Sequence, residues 1–222
     1  MKENTLKNLA VTLKTPAFIF DLDILKERIQ WVTEVIRPAK LCYAIKANPF
    51  LIGEMDAYVE RYEVCSPGEF HICVKEHLPM EKIVLSGVFK EEEDVRYAME
   101  QGVMHYTAES KQQFELLSRC AKDTKKTVEV LLRVTSGNQF GMSESDIVEL
   151  VRARNAHPFL KIGGIQYFTG TQKKVLKKIA AEVVYIEEFI QRLQEEEGFI
   201  TETLEFGPGL GVPYFTKDDF EE

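Results

Sequence analysis

The stretch KLCYAIKANPFLIGEMDAYVERYEVCS, residues 40–66, decides the fold class of this 222-residue chain. It opens on the apolar run KLCYAIKA (40–47), continues into the amphipathic segment LIGEMDAYVERY and returns to a second apolar run, YEVCS (62–66). Both runs are apolar almost throughout rather than alternating, which is typical of parallel strands covered on both faces. A strand, a helix and a second parallel strand together form a β-α-β unit.

Similar units lie on both sides of this stretch. Towards the N-terminus, PAFIFD (16–21) precedes a helical segment, and towards the C-terminus the apolar runs are KIVLSG (82–87), MHYTAE (104–109), TVEVLLRV (127–134), KIGGIQYFTG (161–170) and TLEFGPG (203–209). The longest helical segment follows the run KIGGIQYFTG, and we expect Gly198 to cap this helix. The repetition predicts a parallel α/β sheet, either open or closed into a barrel. A closed (β/α)₈ barrel typically needs about 250 residues, so this chain is slightly short for one.

Composition excludes several classes of function. The 28 basic and 36 acidic residues give a net charge of −8, whereas nucleic-acid and membrane surfaces attract basic faces. No apolar run approaches the ~20 residues of a membrane span, and the first residues contain no signal-peptide core. The four cysteines form no CxxC pair and the histidines no HxxxH pair, so we expect no metal site. Reduced thiols and no export signal indicate a cytoplasmic protein.

Lys46 is the first residue that suggests chemistry. It ends the apolar run LCYAI, at the carboxyl edge of a predicted strand, where parallel α/β folds place their sites. Burial there lowers the pKa of a lysine and frees its amine to react with a carbonyl group. From position alone, a lysine that extends from a strand end into solvent is the favoured interpretation.

Other strand ends carry polar groups or glycines at the same edge. Ser66 and Glu69 follow one run and Arg133 ends another, and the last two runs end in Phe168, Thr171, Gly207, Gly209 and Gly211. Glycines allow backbone N–H groups to approach an anion, and a threonine hydroxyl adds a donor. Taken singly, Glu69 reads as a favourable charge at a helix start, Arg133 as a surface ion pair and the glycines as a turn.

Taken together, these segments resemble the N-terminal part of the pyridoxal-phosphate-dependent ornithine, diaminopimelate and arginine decarboxylases, whose barrel is of the alanine-racemase-like type. The resemblance runs from Thr15 to about Gly211. It rests on segments that follow one another in the family's order: YAIKAN (43–48), SPGEF (66–70), KIVLSGVFK (82–90), AES (108–110), LLRV (131–134), QFGM (139–142), GIQYFTGTQ (164–172) and LEFGPGLG (204–211).

The resemblance implies a TIM-type (β/α) barrel that binds pyridoxal 5′-phosphate. It makes Lys46 the lysine that holds the cofactor as a Schiff base. It also implies that Thr171 and the glycines 207, 209 and 211 cradle the phosphate. Ser66, Glu69 and Arg133 are expected to contribute to cofactor binding, with Glu69 near Lys46 or Arg133 in a polar network.

The sequence departs from the family pattern at several of these positions. Phe168 stands where the family has a ring-stacking histidine, and a phenyl ring can stack but cannot donate a hydrogen bond or titrate. Pro208 replaces a glycine and removes one N–H donor. The family continues into a last barrel strand with an EPGR segment and then a β-domain, whereas this sequence stops at residues 216–222. We therefore expect one domain, residues 1–222, with seven barrel strands and with residues 1–21 leading in from the β-domain.

The functional expectation is the cofactor-binding barrel of a decarboxylase for a basic amino acid such as diaminopimelate, ornithine, lysine or arginine. Racemisation in place of decarboxylation stays open, as does activity of this chain alone. The alternatives are a non-catalytic protein of pyridoxal phosphate homeostasis and an inactive truncated homologue with a regulatory role. Expected partners are a small-molecule amino acid and either a second copy of the chain or a separate C-terminal half.

Overall fold

A computed structural model describes residues 3–214 of the protein. The residues at which the sequence stops, 216–222, lie outside that range. The described part is built from seven strands and eight α-helices that follow one another along the chain. This alternation is the one that the repeated strand and helix patterns predict.

The seven strands are parallel and lie side by side in chain order. They are β1 (Cys42–Ala44), β2 (Arg61–Val64), β3 (Ile83–Leu85), β4 (His105–Ala108), β5 (Val128–Val134), β6 (Leu160–Phe168) and β7 (Thr203–Gly207). The sheet curls into a half-barrel, and among the described residues β1 and β7 do not pair with each other. The expectation of a barrel with seven strands is therefore confirmed.

Two helices precede the first strand, and one helix follows each of the strands β1–β6. They are α1 (Glu3–Thr12), α2 (Leu22–Val35), α3 (Ile52–Met55), α4 (Pro67–Lys75), α5 (Glu92–Gln101), α6 (Lys111–Thr124), α7 (Glu144–Ala153) and α8 (Leu176–Glu197). Gly198 ends α8 in the left-handed conformation, with its N–H bonded to the end of the helix, as expected. In the part of the chain that is described, no helix has the length and apolarity to cross a membrane.

The main core lies between the sheet and its helices. In β2, for example, Tyr62 and Val64 are fully buried on the outer face, whereas Glu63 between them points to the concave face. Helix α6 contributes Phe114 and Leu117, both fully buried. Each such side chain stabilises the fold by about 1.5–3 kcal/mol. Alternation along the strands thus separates the apolar core from a polar concave face.

The stretch PAFIFD (16–21) forms no strand, although its composition predicts one. Its backbone pairs with no described strand, and Phe18, Ile19 and Phe20 are exposed to water. Strand propensity is realised only where a neighbouring strand accepts the backbone hydrogen bonds. Asp21 nevertheless caps α2, because its carboxylate accepts hydrogen bonds from the N–H groups of Asp23 and Ile24.

Candidate active site

The carboxyl ends of the strands meet at one rim of the half-barrel and surround two adjoining cavities. The larger, of about 240 Å³, is lined by residues from β2, β5 and the loops after the strands, and the smaller, of about 150 Å³, extends towards β1 and β7. Three side chains line both: Lys46, Glu63 and Phe168. The rim therefore holds one continuous cleft with Lys46 in its wall.

Lys46 lies in a short 3₁₀ turn, Ile45–Ala47, directly after β1. Its Nζ is 3.4 Å from Oε2 of Glu63 and 3.5 Å from Sγ of Cys65. Burial alone lowers the pKa of Lys46, but the charge of Glu63 and the contact with Cys65 outweigh burial, so that the pKa lies above its ordinary value. The expectation of a pKa lowered by burial is wrong in sign, because a carboxylate on the next strand faces the amine.

Phe168 ends β6 and presents its ring to two cations. The ring centroid lies 5.7 Å from Nζ of Lys46 and 5.7 Å from the guanidinium carbon of Arg133. Phe140 approaches the same guanidinium from 5.5 Å. Cations within about 6 Å of a ring face are stabilised by it. Phe168 thus forms an apolar wall between the lysine and the arginine.

Arg133, on β5, pairs with Glu109, which follows β4, at 2.7 Å between Nη1 and Oε2. Both side chains are buried, and Nε of Arg133 has no hydrogen-bond partner among the described residues. The nearby Gln113 accepts the N–H of Glu109 and donates to the carbonyl of Val88, which fixes the loop after β3. The arginine is therefore a nearly buried cation that pairs with Glu109 in the wall of the cleft.

The glycine-rich end of the cleft is formed by two loops that contact each other. A side chain at Gly207 would place its Cβ 2.6 Å from Cδ2 of Phe168, and one at Gly209, where φ is +67°, would collide with the carbonyl of Gly170. The amides of Gly209 and Thr171 donate to no acceptor among the described residues, which leaves them free for an anion. The N–H of Gly211, in contrast, donates to the carbonyl of Lys173.

Ser66 and Glu69 lie outside the walls of both cavities. Ser66 caps α4 by accepting the N–H of Glu69, and Glu69 in turn accepts the N–H of Cys65 at 2.8 Å. Ser66 is thus the N-cap of the helix, and Glu69 bonds the residue before the cap. The structure gives Arg133 the carboxylate of Glu109 rather than that of Glu69. Ser66 and Glu69 thus position Cys65, which does line the cleft.

Three interior residues of the site have no prominent motif of their own. They are Glu63 on β2, Gln166 on β6 and Glu205 on β7. Each lies two positions before another residue of the cleft wall, namely Cys65, Phe168 and Gly207. Nε2 of Gln166 lies 2.5 Å from Oε1 of Glu205 and 3.5 Å from Oε1 of Glu63. The period of two along a strand was the available signal, because residues i and i+2 face the same side.

The donor set fits pyridoxal phosphate. The group needs an amine for its aldehyde, a flat apolar wall for its ring and N–H donors for its phosphate. The cleft offers Lys46, Phe168 and Gly207, and the unpaired amides of Gly209 and Thr171 lie in the two loops next to it, outside the walls of both cavities.

A comparison with known protein families also indicates a pyridoxal-binding domain. The family model described as "Pyridoxal-dependent decarboxylase, pyridoxal binding domain" matches residues 22–222. The chain belongs to this family. It is 30% identical over 239 residues to a diaminopimelate decarboxylase of Zymomonas mobilis, covering 98% of this chain and 56% of the relative. An L-glutamyl-[BtrI acyl-carrier protein] decarboxylase of Niallia circulans is 26% identical, over 95% of this chain and 53% of that protein.

Solved structures show the same fold. The diaminopimelate decarboxylase of Helicobacter pylori, solved with L-lysine, superposes with a TM-score of 0.84 at 20% identity, covering 98% of this chain and 59% of that one. This half-barrel is therefore the alanine-racemase-like barrel of these decarboxylases, and pyridoxal phosphate is its cofactor. The chain spans about half the length of the curated relatives that it matches.

Proposed function

We propose that Lys46 holds pyridoxal phosphate covalently and that the chain provides the cofactor half of an amino acid decarboxylase. The observation that carries this proposal is the position of the Lys46 amine. It lies in the wall common to both cavities, beside the Phe168 ring and within reach of the Glu63 carboxylate. An amine in that place can react with an aldehyde while a ring-sized apolar wall orients the rest of the cofactor.

Each neighbour has a separate part in the proposal. Glu63 holds the proton on Nζ of Lys46 until the amine reacts, because its carboxylate is the nearest negative charge. Phe168 orients the cofactor ring and excludes water from one face. The amides of Gly209 and Thr171 bind the phosphate. When it is bound, pyridoxal phosphate supplies the electron sink for the loss of a carboxyl group.

We propose a basic amino acid, with diaminopimelate first, as the substrate. The support is the similarity to diaminopimelate decarboxylases, one of them at 30% identity. A second function, binding of the cofactor without turnover, is favoured by one observation. Arg133 is a nearly buried cation in the cleft wall, and its Nη1 already pairs with the carboxylate of Glu109, so its charge is largely compensated before a substrate carboxylate arrives.

We further propose that a second polypeptide surface completes the site. Strands β1 and β7 each have one edge that is unpaired within the described residues, and Phe18, Trp31 and Val184 expose apolar surface. Unpaired edges and exposed apolar side chains favour association. The occupant is a second copy of the chain or a C-terminal half. The four unpaired cysteines favour the cytoplasm as the location.

The test begins with a titration of the full chain with pyridoxal phosphate, followed by visible absorbance. The parent protein should develop the band of a lysine-bound cofactor, and Lys46→Ala should not. Borohydride reduction and peptide mass analysis should then place the mass increase on Lys46. A mass increase on another lysine would refute the assignment.

Turnover is the second step of the test. Diaminopimelate, lysine, ornithine and arginine are each assayed for carbon dioxide release by the loaded protein. Release from one of them, abolished by Lys46→Ala, supports a decarboxylase. A bound cofactor without carbon dioxide release, in the presence of any separately encoded C-terminal half, indicates the binding protein instead.

A further inference from the structure

Four lysines lie where the loop after β6 leads into α8, next to the proposed phosphate cradle. This lysine cluster consists of Lys173, Lys174, Lys177 and Lys178. Between positions 150 and 181 the sequence has seven lysines and arginines and no aspartate or glutamate, although the whole chain has a net charge of −8. The cluster is therefore a local reversal of the charge of the protein.

The lysine cluster is joined to the cradle by backbone hydrogen bonds. The N–H of Lys173 donates to the carbonyl of Gly209 at 2.9 Å, and the carbonyl of Lys173 accepts the N–H of Gly211 at 3.0 Å. Helix α8 follows β6 and so begins at the carboxyl rim of the sheet. Because Lys178 is five residues beyond Lys173, their Cα atoms are at most about 19 Å apart.

Much of the positive charge at the rim is compensated by neighbouring carboxylates. Three cations are paired in this way, in the pairs Lys46–Glu63, Arg133–Glu109 and Lys173–Glu182. Lys177 and Lys178 are exposed and form no ion pair among residues 3–214. An anion in solution therefore meets uncompensated positive charge at the start of α8.

This charge lies where it does not favour the helix. Lys177 and Lys178 are in the first turn of α8, where the helix dipole is itself positive, and the side chain of Val175 at the N-cap accepts no hydrogen bond. Helices α5 and α7, in contrast, have acidic residues in their first turns. Two unpaired cations at this end reduce helix stability, so a role in folding does not explain them.

We propose that Lys177 and Lys178 attract the phosphate dianion of the cofactor to the cradle, so that the chain takes up pyridoxal phosphate in preference to pyridoxal. This inference rests on the proposed function, because the anion is the phosphate of that cofactor. A chain of net charge −8 repels an anion at long range, and a local positive patch raises its concentration at one place. The amides of Gly209 and Thr171 then bind the phosphate at short range.

The first experiment measures the rate at which pyridoxal phosphate labels Lys46 in the full chain, trapped by borohydride and located by peptide mass. At about 0.01 M salt the screening length, roughly 30 Å, exceeds the distance from the lysine cluster to the cradle. Lys177→Gln/Lys178→Gln should then react about threefold to tenfold more slowly than the parent, because two charges produce only the lower end of such effects. At about 1 M salt, where the screening length is roughly 3 Å, the two rates should be equal.

A matched ligand and a matched variant serve as controls. Pyridoxal has the same aldehyde but no phosphate, so the parent and Lys177→Gln/Lys178→Gln should react with it at equal rates. The control variant Lys75→Gln/Lys122→Gln removes two exposed lysines from the last turns of α4 and α6, at the helix ends opposite the rim. It changes the net charge of the chain equally and should react with pyridoxal phosphate as the parent does.

Thermal unfolding without cofactor separates lost attraction from a damaged cradle. Removal of two cations from the positive end of α8 should raise the unfolding temperature of Lys177→Gln/Lys178→Gln by about 1–3 °C. A variant that reacts slowly because its cradle is distorted would unfold at a lower temperature than the parent. Slower labelling together with a higher unfolding temperature is therefore the expected combination.

Three results would overturn the proposal: equal labelling rates of the parent and Lys177→Gln/Lys178→Gln at low salt, equal slowing by the control variant, or equal slowing with pyridoxal. Labelling of a lysine other than Lys46 in the parent refutes the proposed function instead. In that case the affinity of the chain for inorganic phosphate, measured by phosphorus NMR, tests the attraction directly. Equal affinities of the parent and Lys177→Gln/Lys178→Gln at low salt would then overturn it.

Discussion

The carboxylate of Glu109 lies 2.7 Å from the guanidinium of Arg133, and their side chains are only 6% and 11% exposed. The pair joins the end of β4 to β5 directly beneath the cleft. Phe140 and Phe168 cover the guanidinium from two directions. The arginine therefore depends on Glu109 for compensation of a charge that water only partly reaches.

Glu109→Ala should reduce the free energy of unfolding by about 3–5 kcal/mol, because it leaves the Arg133 cation buried without a partner. The matched control is Glu60→Ala, which removes an exposed ion pair with Lys40 and should cost about 0–1 kcal/mol. Urea unfolding measures both. Equal, small losses in the two variants would contradict the burial argument.

Much of the fold and part of the site follow from local patterns. Seven apolar runs predict the seven barrel strands, and the helix end at Gly198 is predicted by residue type. Lys46, Phe168 and Gly207 are all brought to the cleft because each ends a strand or follows one directly. Because parallel strands place their carboxyl ends at one rim, the position of a residue at the end of an apolar run is enough to predict that it reaches the cleft.

The partners of these residues could not be predicted in the same way. Glu63, Glu109 and Glu205 are set by strand order and curvature, which no single run contains. Glu69 stands three residues after a serine, a spacing that equally predicts a role at the start of a helix, and in the structure Ser66 caps α4 while Glu69 bonds the N–H of Cys65. The stretch 16–21 has the composition of a strand, but without a neighbouring strand it stays irregular.

Gly209→Ala should weaken pyridoxal phosphate binding and destabilise the protein. Alanine at φ +67° costs about 1–2 kcal/mol, and its Cβ would collide with the carbonyl of Gly170, so that the two loops of the cradle separate. Gly53→Ala is the control, because no atom lies within 4 Å of its Cβ position in α3. It should raise stability by about 0.5–1 kcal/mol and leave cofactor binding unchanged. Unfolding curves and cofactor titrations measure both.

Glu182→Gln should also weaken cofactor binding, although Glu182 lies outside the cleft. Its carboxylate binds Nζ of Lys173 at 2.6 Å and accepts the Thr169 hydroxyl at 2.9 Å, and so fastens the loop after β6 to α8. Charge-assisted hydrogen bonds contribute about 1.5–3 kcal/mol each, so a loss of that order in unfolding free energy is expected.

The control for this variant is Glu202→Gln, which breaks the exposed pair with Lys161. This control should change the free energy of unfolding by no more than about 1 kcal/mol, and it should leave the affinity for pyridoxal phosphate unchanged. If both variants bind the cofactor as the parent does, the contact between the loop and α8 has no part in shaping the cradle.

Lys90 should make the stability of the protein rise with pH in alkaline solution. Its Nζ donates to the carbonyl of Gly87 at 2.7 Å and to Gln113 at 3.1 Å, and loss of hydration lowers the pKa of Lys90 to about 8. Between about pH 8 and the ordinary value of 10.5, the unfolded chain binds a proton that the folded chain does not. Folding is therefore penalised fully below pH 8, and the penalty, about 3 kcal/mol at most, disappears by pH 10.5.

Lys90→Met removes this pH dependence. The difference in unfolding free energy between the parent and the variant should therefore shift in favour of the parent by up to about 3 kcal/mol between pH 8 and pH 10.5. Urea unfolding at several pH values measures it, with the exposed Lys122→Met as control. Parallel curves for the parent and Lys90→Met would mean that Lys90 keeps its charge throughout the interval.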